Sequence, residues 1–454
     1  MPDKFDRRRL LIGSAGFALL LGMAGTEPAF AARKPNFIVV LCDDLGYGDI
    51  GPNGNRSIPT PNLDRMAREG TVLTDYYAPQ NLCTPSRAGL LTGRYAVRAG
   101  LARGVIMANE DRGLPLDSVT IPQALKPAGY TSAHIGKWHL GHQGRYWPPT
   151  VHGFDLFFGI PYSHDMVPLT IYEAKVGATQ VSETPADFHF PGANRFNPAT
   201  DDVTNLTSTL EQQFYGRAER FIEDNKERPF YLQLSLSTPH LPEIPSPAFK
   251  GRSVEGPYGD TIMEIDSIVG RLLNKLRDLS LDRDTLVIFT SDNGPWYWGS
   301  SVPLRDRKGG AAYDGGYRVP CIAWRPGTIP AGKRVNGVCS GIDFLPTFCA
   351  MAGATAGPAL DGIDITGVLQ RGEHIDREFV LFQGAEPVAI RTQKWKYIAI
   401  NQYKVFGYDE LYDMSIDPSE SYNVRALHPE EAKAMRERFQ QLQALFKPLA
   451  DKQS

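Results

Sequence analysis

Long apolar runs alternate along the chain with segments of helical periodicity. Asn36-Phe-Ile-Val-Val-Leu-Cys42 is β-branched and apolar almost throughout. Such a run reads as a strand buried on both faces, as in a parallel sheet. Similar runs recur at Tyr231–Ser235 and Thr285–Thr290. Between them the spacing of apolar residues predicts helices over Pro61–Glu69, Thr120–Lys126, Gln212–Asn225 and Tyr258–Leu279. Strands alternating with helices predict an α/β sandwich. The stretch Ile171–Asn205 is polar, without clear periodicity, and reads as an excursion over the surface. Beyond residue 370 the pattern shortens. Strand candidates at Phe379–Gln383, Pro387–Thr392 and Lys396–Asn401 are followed by a charged amphipathic helix, Pro429–Phe446. That predicts a small antiparallel sheet packed with one helix. The expected division is a large domain over 33–370 and a C-terminal subdomain over 371–454.

The first residues differ from the rest. Arg7, Arg8 and Arg9 precede an apolar run from Leu10 to Gly25, and Ala29-Phe30-Ala31 follows. This is the layout of a cleavable signal peptide over 1–31, and the arginine pair resembles a twin-arginine signal. The run is diluted by Gly and Ser and falls short of the ~20 apolar residues that a membrane span needs. The expectation is a bacterial chain passed through export machinery, periplasmic or secreted, with no stable membrane anchor. A formal net charge of -3 gives no reason to expect a nucleic-acid partner.

Candidate chemistry sits at strand ends. Asp43-Asp44 follows the first strand, and Asp292-Asn293 follows the run ending at Thr290. Ligands of open α/β sheets bind outside the carboxyl ends of the strands. Three carboxylates and an amide oxygen form a hard set suited to Ca²⁺ or Mg²⁺. The plainer alternative is that these residues form turns or caps. The segment Cys83-Thr84-Pro85-Ser86-Arg87 predicts a helix start, with Thr84 able to cap and Pro85 fitting the first turn. A helix N-terminus lowers a thiol pKa, which would suggest a cysteine nucleophile. A thiolate, however, is a poor partner for an oxygen-only metal set. The chain has five cysteines, Cys42, Cys83, Cys321, Cys339 and Cys349. In an exported protein an odd count asks for an account of the unpaired one. Cys42 lies in the strand-like run and reads as a buried thiol.

Cys83-x-Pro-Ser-Arg87, followed by Leu91-Thr92-Gly93-Arg94, resembles the formylglycine motif of the sulfatase family. The resemblance implies an alkaline-phosphatase-like α/β/α sandwich with a large mixed, mostly parallel sheet. It implies that a formylglycine-generating maturation enzyme oxidises Cys83 to an aldehyde, whose hydrate is a hard oxygen nucleophile. That conversion would account for the odd cysteine. Asp43, Asp44, Asp292 and Asn293 fall where the family's metal ligands fall, with Cys83 completing the set. Calcium is the family expectation and magnesium the alternative. Gly136-Lys137-Trp138-His139-Leu140-Gly141, Thr238-Pro239-His240 and Lys308-Gly309-Gly310 match further motifs. They imply Lys137, His139, His240 and Lys308 as catalytic residues beside Cys83 and Arg87. Gly159-Ile160-Pro161-Tyr162-Ser163-His164-Asp165 is similar to the arylsulfatase A and N-acetylgalactosamine-6-sulfatase branch. There Ser163, with Lys137, His240 and Lys308, would hold the sulfate of a small-molecule or carbohydrate ester. In an extended segment i and i+2 share a face, so Lys137 and His139 would enter the site together with Trp138 behind.

Each residue also has a bland reading. Arg87 could lie on a helix surface, Lys137 could snorkel, and His139 and His240 could be structural. His134, His142 and His152 have no motif and read as structural. Trp296, Tyr297 and Trp298 could pack, or stack on an aryl or sugar group. Two other functions fit parts of the pattern: a phosphodiester or phosphonate monoester hydrolase of the same superfamily, and a non-catalytic sulfated-glycan-binding protein. The Lys137/His139 pair and the Ser163 segment favour sulfate.

Overall fold

Every residue of the first apolar run, Asn36–Asp43, is buried, because the run is the middle strand of a large sheet. The computed structural model describes residues 33–166, 169–177, 181–185, 207–400 and 408–450. The expected signal peptide over 1–31 lies outside them. The strands are β1 (Asn36–Asp43), β2 (Thr71–Leu73), β3 (Tyr76–Tyr77), β4 (Thr131–Lys137), β5 (Leu156–Ile160), β6 (Thr170–Lys175), β7 (Ser182–Pro185) and β8 (Phe230–Pro239). Then come β9 (Thr285–Ser291), β10 (Cys321–Trp324), β11 (Lys333–Val335), β12 (Cys339–Ser340), β13 (Phe379–Gln383), β14 (Glu386–Arg391), β15 (Trp395–Ile398) and β16 (Glu410–Asp413).

One sheet has the order β11-β2-β10-β9-β1-β8-β4-β5-β6-β7. The five central strands β9, β1, β8, β4 and β5 are parallel. Their carboxyl ends therefore share one edge. Alternation along β1 feeds two apolar layers. Phe37, Val39 and Leu41 pack with Leu91, Phe344 and Phe348 on one face. Ile38, Val40 and Cys42 pack with Leu63, Phe214 and Ile262 on the other. This is the expected α/β/α sandwich, mixed at its edges.

The polar stretch after Ile171 departs from expectation. Thr170–Lys175 pairs antiparallel with β5, and Ser182–Pro185 pairs with it in turn. Thr170, Ile171 and Ala174 are buried, Tyr172 and Glu173 partly exposed and Lys175 exposed. β6 lies between β5 and the edge strand β7, and its two apolar buried residues are too few to mark a period. Residues 178–180 and 186–205 of that stretch lie outside the described residues.

The small antiparallel sheet, β13-β14-β15-β16, packs against helix Pro429–Ala450 as expected. The fourth strand, β16, was not anticipated. Tyr77, Tyr95, Tyr313 and Tyr317 of the larger part join its apolar cluster. A buried ion network lies beside it. Lys396 is fully buried and reaches Asp314 Oδ1 and Glu420 Oε1, each at 2.6 Å. Asp314 also accepts from Tyr77 Oη at 2.8 Å, and its backbone N–H donates to Glu420 at 2.7 Å. Burial opposes the charge on Asp314, but Lys396, Arg318 and Arg391 hold its carboxyl below the usual range.

Breaking one partner of a buried pair strands the other charge in a dry site. Lys396→Met should therefore lower the unfolding free energy by about 3–5 kcal/mol, read as a fall in the thermal midpoint. An unchanged midpoint would show that the network does not brace the C-terminal sheet.

Candidate functional site

All five central strands deliver a side chain to one edge. β1 ends in Asp43 and Asp44, β9 is followed by Asp292 and Asn293, and β8 by His240. β4 ends in Lys137, and Ser163 lies just beyond β5. Asp44 has φ 69°, in the left-handed region. That turn keeps both aspartates at the edge, and the Asp44 N–H donates to Asp292 Oδ1 at 3.2 Å. Gly294 is required by close packing: a Cβ there would lie 1.9 Å from the Gly315 carbonyl oxygen. The helix Cys83–Thr92 is buried along its whole length and places Cys83 at its first turn.

The charged groups interlock. Cys83 Sγ lies 3.5 Å from Asp43 Oδ1 and 4.0 Å from Asp44 Oδ1. Arg87 donates from Nε to Asp292 Oδ2 at 2.7 Å and from Nη1 to the Lys137 carbonyl at 2.9 Å. Its Nη2 stands 3.5 Å from Asp43. Lys137 Nζ bonds Asp43 Oδ2 at 2.5 Å and Ser163 Oγ at 2.7 Å. Lys308 Nζ is 2.7 Å from Asp44 Oδ1, and His240 Nε2 is 3.7 Å from Asp44 Oδ2. Arg87 and Lys137 are buried, not surface residues, and His139, discussed next, lies close enough to Lys137, Arg87 and Asp43 to feel their charges.

His139 departs from the alternating picture. Gly136 has φ 107° and His139 φ 62°, so the chain turns rather than running extended. Trp138 packs behind, 1% exposed, edge-on to Phe154. His139 is instead held by Thr84, whose hydroxyl donates to its carbonyl at 3.0 Å and accepts from the Ile106 N–H. Thr84 therefore does not cap the helix, which has Leu82 at its N-cap and no side-chain cap. His139 Nε2 faces the Ile106 carbonyl at 2.9 Å. A carbonyl only accepts, so Nε2 carries the proton and Nδ1 is left basic. Nδ1 is buried and lacks a hydrogen-bond partner among the described residues. Burial, with Lys137 and Arg87, holds the ring well below the usual histidine range, hence neutral.

His240 is fixed the other way round. Its Nδ1 donates to the Leu241 carbonyl at 2.6 Å, so Nε2 faces Asp44. Burial and Lys308 push its pKa down to about 3. Lys308 stays charged, because Asp44 outweighs the cost of its burial. The Cys83 thiol is pushed far up by burial, against the pull of Lys137 and Lys308. The helix N-terminus therefore does not yield a thiolate.

Asp43, Asp44, Asp292 and Cys83 bring one ligand atom each within 4.8 Å of one another. Asn293 Oδ1 is buried without a hydrogen-bond partner among the described residues, while its Nδ2 donates to Asp44 Oδ1 at 2.7 Å. A buried orphan acceptor beside three carboxylates is what a hard cation would satisfy. The donor set fits such an ion.

His134, His142 and His152 each place Nε2 on a backbone carbonyl, and their reading as structural stands. All five cysteines are free and buried, so the odd count loses its force as an argument for Cys83. Sequence reasoning gave Thr84 a capping role that it does not have and missed Glu211. Glu211, buried, accepts from the Ser237 N–H and hydroxyl and the Thr238 N–H, at 2.6–3.1 Å, and so sets the segment leading to His240. Nothing in its helical context marks it.

Lysine cannot reproduce the guanidinium fork of Arg87. Arg87→Lys should lower stability by about 1.5–3 kcal/mol, measured by thermal unfolding before any conversion of Cys83. An unaltered midpoint would mean that the fork does not order the site.

Comparison with known proteins agrees with the geometry. The family model "Sulfatase" matches residues 35–354, and "N-sulphoglucosamine sulphohydrolase, C-terminal" matches 309–447. Arylsulfatase A of Bos taurus is 37% identical over 441 residues, covering 90% of this chain and 85% of its own length. N-acetylgalactosamine-6-sulfatase of Mus musculus is 36% identical over 397 residues, covering 83% of this chain and 74% of its own. The crystal structure of PsFucS1 sulfatase from Pseudoalteromonas sp. superposes with a TM-score of 0.79 at 28% identity, covering 92% of this chain and 91% of the other. The chain belongs to the sulfatase family and is a sulfuric ester hydrolase.

Proposed function

We propose that this sulfatase cleaves sulfate monoesters with a nucleophile made from Cys83, on a bed of three buried carboxylates balanced by the buried Arg87 and Lys137 and the part-buried Lys308. The observation that carries the reading is Cys83 Sγ at 3.5 Å from Asp43, inside that bed. A maturation enzyme converts the Cys83 thiol to formylglycine, which hydrates to a geminal diol. A divalent cation, calcium before magnesium, held by Asp43, Asp44, Asp292 and Asn293, supplies charge that stabilises the anionic nucleophile and the sulfate.

The chain's own residues do the rest. Arg87 orients the diol and Asp292 helps to deprotonate it. Ser163, Lys137 and Lys308 hold the sulfate oxygens, and the lysines offset charge developing on them. The neutral His139 accepts a proton from the second hydroxyl when sulfate is expelled, which suits a ring with Nδ1 free. His240, with Lys308 beside it, protonates the leaving alcohol. Burial and Lys308 keep its ring neutral, and a negative sulfate bound against it favours the protonated form.

The substrate class is an aryl sulfate or a sulfated sugar, the two kinds that the names of its relatives carry. The phosphodiester alternative is less well supported, because family and relatives alike are named for sulfate. Residues 33–370 would hold the chemistry and 371–454 form a subdomain that buttresses it. Export to the periplasm or beyond is supported by Arg7–Arg9 and the apolar run after them. Among the described residues no helix is long and apolar enough to cross a membrane.

In matured protein the Cys83 peptide should weigh about 18 Da less than its thiol form, the difference between CH₂SH and CHO. Aryl sulfate should be turned over in preference to an aryl phosphodiester. Cys83→Ser has a single hydroxyl and no internal route for expelling sulfate, so it should give one burst and stop, sulfated at residue 83. Sustained turnover by that variant would refute the two-hydroxyl scheme.

A further inference from the structure

Three consecutive aromatic residues stand in solvent just beyond the edge of the site. Trp296 is 37% exposed, Tyr297 68% and Trp298 66%. A contiguous aromatic patch of this kind marks a binding surface more often than chance exposure does. The loop beneath it is firmly built. Lys308 N–H donates to the Pro295 carbonyl at 3.1 Å, and Gly299 N–H to Trp296 at 3.2 Å. Asp49 accepts from the Ser300 N–H at 2.8 Å and from Tyr258 Oη at 2.5 Å. A Cβ on Gly299 would lie 2.3 Å from Tyr258 Oη, so the base of the loop is closely packed. The rings are thus held out from a fixed base and need little ordering on binding.

The patch is tied to the sulfate-side lysine. Arg307, the neighbour of Lys308, lies over the Tyr297 ring at 5.1 Å and donates to its carbonyl at 3.2 Å. Trp296 meets Tyr297 edge-on at 4.9 Å. Lys308 itself ends 2.7 Å from Asp44. Lys308 and the three aromatic residues thus belong to one internally bonded loop.

Two carboxyl groups close to His240 and Asp44 discriminate between an aryl group and a sugar. Asp165 is 6% exposed, and its Oδ1 has no hydrogen-bond partner among the described residues. It adjoins His164, whose ring meets His240 at 5.8 Å. Glu243 Oε1, three residues beyond His240, is likewise buried and unpartnered. An aryl group offers these oxygens no donor and would leave them unpaired at a cost. The hydroxyls of a sugar supply donors. A pyranose also presents an apolar C–H face that an indole or phenol ring can cover.

Resting on the sulfate-ester reading above, we propose that Trp296, Tyr297 and Trp298 form an outer subsite for the sugar next to the sulfated one. The preferred substrate is then a sulfated oligosaccharide. Arg307 adds a donor for an oxygen on that second sugar.

The test measures calorimetric affinity of the full-length Cys83→Ala protein, which binds without turnover. The probes are sulfated monosaccharides and the tetrasaccharides that contain them, from chondroitin sulfate, heparin and carrageenan. At least one tetrasaccharide should bind about tenfold tighter than its monosaccharide, equivalent to about 1.4 kcal/mol. Adding Trp298→Ala or Tyr297→Ala should erase most of that gain and leave monosaccharide affinity within about twofold. The proposal fails if no tetrasaccharide outbinds its monosaccharide, or if the gain survives both substitutions. Release of sulfate from 4-nitrocatechol sulfate by the matured wild type tests the underlying reading separately. A protein that shows the tetrasaccharide gain but releases no sulfate would keep the subsite and lose the hydrolase mechanism.

Discussion

The site depends on a charge balance held almost entirely out of water. Asp43, Asp44 and Asp292 are at most 1% exposed, and Arg87, Lys137 and Lys308 lie directly against them. Burying either set alone would be prohibitive, and together they are tolerable only if each charge keeps a partner. This explains why the charges come from three strand ends, one helix and one loop instead of from one segment. It also explains the poise of the site. A divalent ion bound by the carboxylates would leave the balance positive, which is the sign an arriving sulfate ester requires.

The fold serves that balance through backbone close to the sheet edge. Gly294 lets the segment after β9 meet Gly315, and the loop from Pro295 to Lys308 is bonded along its base to the Asp49 region. The buried Lys396, Asp314 and Glu420 stand at the far end of the same loop region. The C-terminal sheet therefore does more than cover apolar surface: its ion network fixes Asp314, only a few residues beyond Lys308. Stability and chemistry share these residues, so substitutions there should affect both.

Much of this was legible in the sequence because the signals were local. Strands β1 and β9 carry unbroken apolar runs, Phe37–Cys42 and Leu286–Phe289, as strands buried on both faces commonly do. The acidic dipeptides follow two of those runs directly, and the Cys83 to Arg94 motif is contiguous. What could not be read depends on long-range partners. Thr84 looked like a cap until its hydroxyl was seen bridging His139 and Ile106. His139 was expected on an extended segment, but a left-handed residue there is set by what packs around it, not by neighbours in sequence. Strand β6 shows burial at only two or three positions, too few for a period. Lys396 meets partners far away in the chain, and no pattern around it announces a buried charge.

The central claim is that the acidic edge of the sheet holds a hard cation against the modified Cys83 side chain. A crystal structure of the matured protein grown with calcium tests it most directly. The account predicts one ion with oxygens of Asp43, Asp44, Asp292 and Asn293 at about 2.3–2.6 Å, and with an oxygen of the converted residue 83 completing its shell. An ion bound elsewhere, or an acidic edge that stays empty beside an oxidised residue 83, would contradict it.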